Sequence, residues 1–275
     1  MKITRRIAFG MAVLFLGSLS PMSFAEKDPL QAAIDHPDRT AAYKLRDHAR
    51  KPYETLKFFE VKPHHKVMEV WPGGGWYSEI LAPYLKDKGL LVAGHFNPKS
   101  EASYFVKSLD NYKQRLSDNP TTYGKVKLSI FDPSNSSLGV NDASLDRVLT
   151  FRNVHNFYMN DGGDAQVKSA FEAMFAALKS GGILGVVDHR LPVSSPREQQ
   201  NNSGYMHEAY VIEMAESVGF KLVEKSEINA NPKDTANHPR GVWSLPPNYA
   251  LGEEDREKYS AIGESDRMTL KFRKP

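Results

Sequence analysis

One short segment, residues 66–88, limits what this chain can fold into more than any other. Lys66-Val-Met-Glu-Val-Trp71 is a brief apolar run held between Pro63 and Pro72, and it reads as a buried strand. Pro72-Gly-Gly-Gly75 is a turn, and Ile80, Leu81, Tyr84 and Leu85 then recur at helical spacing, with Gly89 as the stop. Glycines between a strand and a helix let the backbone approach a ligand closely, and the helix start offers free N–H groups to an anion. The same glycines also suit a plain reversal of the chain, so the turn alone does not decide between the two roles.

The alternation continues. Strands are expected at residues 90–94, 126–131, 145–150, 183–187 and 221–224, with helices at 104–116, 171–178 and 207–218 between them. Residues 268–272 alternate apolar and polar side chains in the manner of an edge strand. Ser180-Gly181-Gly182 should close the helix before the fifth strand. Alternating elements with apolar strands predict an α/β fold whose mostly parallel sheet is covered on both faces. Ligands in such sheets bind at the carboxyl ends of the strands. Residues 26–60 read as a helical lead-in broken by Pro29, Pro37 and Pro52, and residues 61–275 as one domain. Within it, segments 190–204 and 229–266 are loop-rich and face substrate.

The 275 residues include 40% hydrophobic and 25% charged side chains, values that exclude a disordered chain or a coiled coil. Cysteine is absent, which removes disulfides, thiolate metal sites and cysteine nucleophiles. Nine histidines without ligand spacing predict no metal site. No Gly-x-Ser-x-Gly elbow is present, which argues against an α/β-hydrolase.

Residues 1–25 read as a cleaved export signal. Lys2, Arg5 and Arg6 form a basic head, an apolar stretch follows, and Ser23-Phe24-Ala25 supplies the small residues of a cleavage site. Arg5-Arg6 also suits a twin-arginine route. The predicted location is periplasmic. The remaining 250 residues carry 33 basic and 33 acidic side chains, so no overall charge recruits nucleic acid or, after cleavage, a membrane. The expected partner is a small-molecule substrate.

Residues 67–84, running through Glu69, Trp71, Pro72, Gly73, Gly74, Gly75, Trp76 and Tyr77, resemble the first motif of class I S-adenosylmethionine-dependent methyltransferases. More narrowly they resemble a group of exported, predicted methyltransferases with a Pro-Gly-x-Gly-Trp-Tyr signature. Residues 144–155, 177–188, 213–223 and 266–272 resemble the family's later motifs, in order. The resemblance implies a Rossmann-like class I methyltransferase fold with a closing antiparallel C-terminal strand, and S-adenosylmethionine as cofactor. It also implies roles. Glu69 would position the methionine amino group, Gly73 and Gly75 would pass under the cofactor, and Asp132 would meet the adenine amino group. Asp132-Pro133-Ser134 is equally good turn chemistry.

Two positions depart from the family. Trp71 stands where the first glycine of the motif belongs, and an indole there either narrows the pocket or stacks on a ligand. A ribose-binding carboxylate is expected about 20 residues past the glycine turn. His95 stands there instead; it or Asn97 can bond a hydroxyl, more weakly than a carboxylate would.

Methyl transfer needs alignment and a dry pocket, with a base where the acceptor must lose a proton. His155, after the fourth strand, and Asp188, after the fifth, are the catalytic candidates, with His189 beside them. Each also suits a polar strand end bonded to backbone. The function expected is an exported methyltransferase acting on a small or medium-sized acceptor. The alternatives are a non-catalytic binding protein of the same fold and a nicotinamide-dependent oxidoreductase.

Overall fold

The computed structural model describes residues 28–133, 136–159 and 161–275. The expected export signal lies outside the described residues. Among those described, no helix is long and apolar enough to cross a membrane.

Of the three N-terminal prolines, Pro37 breaks the chain between helices as expected, whereas Pro29 and Pro52 begin helices. The order is α1 (Pro29–Ile34), α2 (Ala41–Lys44), α3 (Asp47–Arg50) and α4 (Pro52–Phe58). Pro29 and Pro52 sit in first turns, where a missing N–H goes unused. Asp28 caps α1 by accepting the Leu30 N–H at 2.8 Å.

β1 (Lys66–Val70), α5 (Ser78–Leu85) and β2 (Leu90–His95) follow, then α6 (Ser103–Asp118), α7 (Pro120–Tyr123) and β3 (Lys127–Ile130). The second half runs β4 (Leu145–Phe151), α8 (Val154–Tyr158), α9 (Gly163–Ala177), β5 (Leu178–Leu191) and β6 (Met206–His207). It closes with α10 (Glu208–Ser217), β7 (Lys221–Ser226), α11 (Arg256–Ile262) and β8 (Arg267–Arg273).

The sheet has the order β3-β2-β1-β4-β5-β8-β7, with β6 paired to the end of β5. The first five strands are parallel, in registers such as Glu69 opposite Ala93 and Met68 opposite Val148. β8 is antiparallel to both of its neighbours. The predicted mostly parallel sheet with an antiparallel closing strand is therefore the observed one. Its order reverses between β1 and β4, the switch point beside which ligands bind in such folds.

Two apolar layers cover the sheet. On one face α9 contributes Val167, Ala170, Phe171 and Met174, spaced one helical stripe apart, against Val148, Leu184 and Leu270. On the other, α5 packs Ile80, Leu81 and Leu85 against Val67, and Leu30, Leu56 and Phe59 of the N-terminal segment complete the cluster.

Two sequence expectations need correction. β8 is not an edge strand: it lies between β5 and β7, and all but its last residue is buried. Its alternating polar positions face partners rather than water. Asn229 Nδ2 donates to Thr269 Oγ1 at 3.0 Å, and Lys271 pairs with Glu224 at 2.8 Å. Nor does Ser180-Gly181-Gly182 simply end a helix. β5 starts at Leu178, and Gly181, at φ +76°, donates its N–H to Lys274 O at 2.8 Å while the register with β4 shifts. The two segments read as loops also hold short 3-10 turns at Arg197–Asn201 and Gly241–Ser244, besides α11.

Candidate active site

A cavity of about 350 Å³ lies at the carboxyl ends of β1 and β4. The glycine turn forms one wall. Gly73, at φ +57°, has open space around its α-carbon, since a methyl group there would touch nothing within 4 Å. Gly75, at φ +83°, serves packing instead: a methyl group there would sit 3.1 Å from the Tyr112 ring. Gly75 is not part of the cavity wall.

Glu69 reaches the cavity from the end of β1 and is only 3% exposed. Ser78 Oγ donates to its Oε2 at 2.6 Å, and the Tyr112 hydroxyl lies 2.8 Å from that same oxygen of Ser78. Burial pushes the Glu69 carboxyl up to about 7, against the opposing pull of Ser78, Arg152 and Arg50.

Trp71 adopts a left-handed backbone, φ +44°, as a glycine would at this position. Its indole N–H donates to Phe131 O at 3.2 Å, and its ring lies 4.8 Å from Phe96 and 5.0 Å from Phe157. The indole therefore fills the space between the ends of β2 and β3 while keeping part of its surface on the cavity wall. His95 is fully buried behind the turn. Its Nδ1 accepts the Phe96 N–H at 2.9 Å, its Nε2 lies 3.4 Å from Gly73 O, and burial lowers its pKa to about 4. Asp132 is half-buried, forms a β-bridge with Ser137, and does not line the cavity. Of the six residues expected to hold a cofactor, Glu69, Trp71 and Gly73 meet at the cavity, whereas Gly75, His95 and Asp132 do not.

The two catalytic candidates come together. His155 Nδ1 lies 2.8 Å from Asp188 Oδ1, and the His155 backbone N–H donates to Asp188 Oδ2 at 3.1 Å. Asp188 is wholly buried, also accepts the His189 N–H at 2.7 Å, and stands behind the cavity wall that His155 and His189 form. The carboxylate fixes the Nδ1–H tautomer of His155 and leaves Nε2 as the basic nitrogen. His189 is held far below the usual histidine range, by burial first and then by His155 and Arg152. His155, Asp188 and His189 also bring three ligating atoms within 4.8 Å of one another. Both Asp188 oxygens are already engaged and arginines surround the group, a setting that suits an anion better than a divalent cation.

Sequence reasoning missed the arginines. Arg46 and Arg50, from the N-terminal helices, and Arg152, one residue past β4, all line the cavity. Glu264 receives Arg46 Nε at 2.6 Å, Arg50 Nε at 3.3 Å and Arg267 Nη1 at 3.3 Å. Burial alone would raise the Glu264 carboxyl, but Arg50, Arg267 and Arg46 together hold it at about 2. Arg152 carried a usable signal, a cation at the carboxyl end of a strand. Arg46 and Arg50 carried none, because they reach the site only through the fold of the N-terminal segment.

No family model matches the sequence, and no curated protein matches it either. Solved structures do match in shape. One is a SAM-dependent methyltransferase from Aquifex aeolicus, 13% identical, with TM-score 0.57 over 91% of this chain and 100% of that one. Another is the [4+2]-cyclase SpnF, 17% identical, with TM-score 0.57 over 90% and 92%. A third is an arsenic(III) S-adenosylmethionine methyltransferase from Chlamydomonas reinhardtii, 15% identical, with TM-score 0.51 over 91% and 74%. The fold is the Rossmann-like class I methyltransferase fold. At these identities the likeness is one of architecture, and a cyclase shares it.

Proposed function

We propose that this chain is an exported, periplasmic S-adenosylmethionine-dependent methyltransferase acting on a small or medium-sized acceptor, with no nucleic-acid or membrane partner. The observation that carries the reading is the meeting, at one cavity, of the open Gly73 turn, the buried Glu69 carboxyl and the His155–Asp188 pair. Structural neighbours that are S-adenosylmethionine-dependent methyltransferases support it.

The residues fit the donor's amino-acid end. Glu69 would receive the ammonium group, and the bare Gly73 backbone leaves room beside it. At the nucleoside end the wall is the cavity-facing part of Trp71, against which an adenine ring would lie. S-Adenosylmethionine supplies, when bound, a methyl group on a positively charged sulfur. His155, its Nδ1–H held by Asp188, takes the proton an acceptor releases on its Nε2. Tyr77 and Phe151, their rings stacked 3.6 Å apart, supply an aromatic part of the cavity wall.

Incubation with methyl-labelled S-adenosylmethionine and a panel of small acceptors tests this directly. Label should move to an acceptor, and His155→Ala should slow transfer about 100-fold or more. Label that stays on the donor across the whole panel would count against the reading.

Trp71 favours a second reading, a binding protein of the same fold that has given up the donor. Its indole occupies the space between Phe96 and Phe157, at the strand ends where the resemblance puts the nucleoside. The two readings separate on whether the wild-type chain binds the donor at all.

A further inference from the structure

Buried charges in proteins are paired, because an isolated one loses its hydration without compensation. At this cavity the pairing is incomplete. Four guanidinium groups, Arg46, Arg50, Arg152 and Arg267, act on the single carboxylate of Glu264. Arg50 is 1% exposed; it spends Nε on Glu264, and neither of its Nη atoms has a hydrogen-bond partner. Arg46 Nη2 is likewise buried without a partner. The second carboxyl on the wall, Glu69, is only partly ionised at neutral pH, since burial raises it to about 7. Positive charge therefore exceeds negative charge at the wall, and the unused donors belong to side chains that line the cavity.

We propose that the substrate of this cavity, as distinct from any methyl donor, carries a carboxylate or phosphate group that Arg50, Arg46 and Arg152 bind. Two features point to the substrate rather than to the donor's own carboxylate. The arginines outnumber what one carboxylate needs. Glu264, which binds Arg46 and Arg50, and Ser265 belong to the segment before β8, and Ser265 Oγ lies 2.5 Å from His189 Nδ1. The arginine cluster thus adjoins the wall that carries His155, so an acidic group anchored there would hold the rest of its molecule beside the proposed base. Guanidinium forks suit both planar carboxylates and phosphates. This inference rests on the reading of the cavity as a substrate site, and deepens it by naming the substrate's charge.

The test is calorimetric titration of inorganic phosphate into the purified chain in phosphate-free buffer. It is repeated with S-adenosylmethionine at saturation, and again with 5′-methylthioadenosine, which lacks the amino-acid end. Phosphate should bind the wild type, bind about tenfold or more weakly to Arg50→Gln and Arg152→Gln, and remain bound when S-adenosylmethionine is present. Should Arg50→Gln fail to fold, Arg152→Gln carries the comparison, with a thermal melt to show that it is folded.

Absence of phosphate binding would overturn the proposal, as would equal binding by the variants. So would displacement of phosphate by S-adenosylmethionine but not by 5′-methylthioadenosine, because the arginines would then serve the donor's carboxylate. Phosphate binding that needs Arg50 in a chain silent toward S-adenosylmethionine would leave this inference standing and remove the methyl-transfer reading.

Discussion

Three carboxyl groups at or beside one cavity are set to different tasks by their surroundings. Asp188 holds an imidazole, Glu264 neutralises arginines, and Glu69 stands only partly ionised at neutral pH. The two shifted groups have opposite linkage to pH. Glu264, held at about 2, contributes stability that is complete above its unfolded pKa of 4.5 and is lost as pH falls toward 2. Glu69, raised to about 7, binds a proton in the folded chain that the unfolded chain has released above 4.5. Its contribution therefore declines as pH rises from 4.5 to 7. Chemical denaturation of Glu69→Gln should show a gain over wild type that grows through that window, toward a limit on the order of 3 kcal/mol. A gain independent of pH would contradict the shift. Glu264→Gln should have the opposite sign at pH 7, a loss of about 3 kcal/mol or more, because it strands the buried guanidinium groups of Arg50 and Arg267 and the half-buried one of Arg46. Glu69 was legible in the sequence because its place at a strand end before glycines is local. Glu264 was not, because its partners Arg46 and Arg50 are more than 200 positions away along the chain.

Elements joined by short turns could be read from periodicity, and most expected strands and helices appear within a few residues of their predicted bounds. What periodicity could not supply is which face a polar residue pairs with. The Thr269 and Lys271 pattern in β8 looked solvent-facing, yet Asn229 and Glu60 cover it. Asn229 Nδ2 bonds both Thr55 Oγ1 of α4, at 3.1 Å, and Thr269 Oγ1, at 3.0 Å. Arg267 Nη2 reaches Ala49 O at 2.7 Å. These bonds tie the N-terminal helices to the middle of the sheet. A chain begun at residue 61 should therefore not fold stably, and its circular dichroism melt should lack a cooperative transition. A sharp transition from that fragment would show the N-terminal segment to be dispensable. The glycine turn gives a finer test of the same element. Gly75→Ala should cost more stability than Gly73→Ala, by about 1 kcal/mol, since both have positive φ but only Gly75 meets the Tyr112 ring.

For the whole molecule, the strand order places β1 and β4 side by side at the switch point, and every group proposed to act lies at their carboxyl ends or that of β5, or is carried there by the N-terminal helices and the segment before β8. The parallel sheet and the places of His155 and Asp188 at the carboxyl ends of strands followed from the order of motifs along the chain; the hydrogen bond between the two did not. The aromatic filling around Trp71 and the arginine cluster did not, because each is assembled from residues that only the tertiary fold brings together. The central claim is that this arrangement binds a methyl donor, and calorimetric titration of S-adenosylmethionine into residues 26–275, with NAD as the parallel control, tests it most directly. Micromolar binding of S-adenosylmethionine with no heat from NAD is the predicted result. No heat from wild type, with binding recovered in Trp71→Gly, would contradict it and identify the indole as a plug in a site the fold still retains.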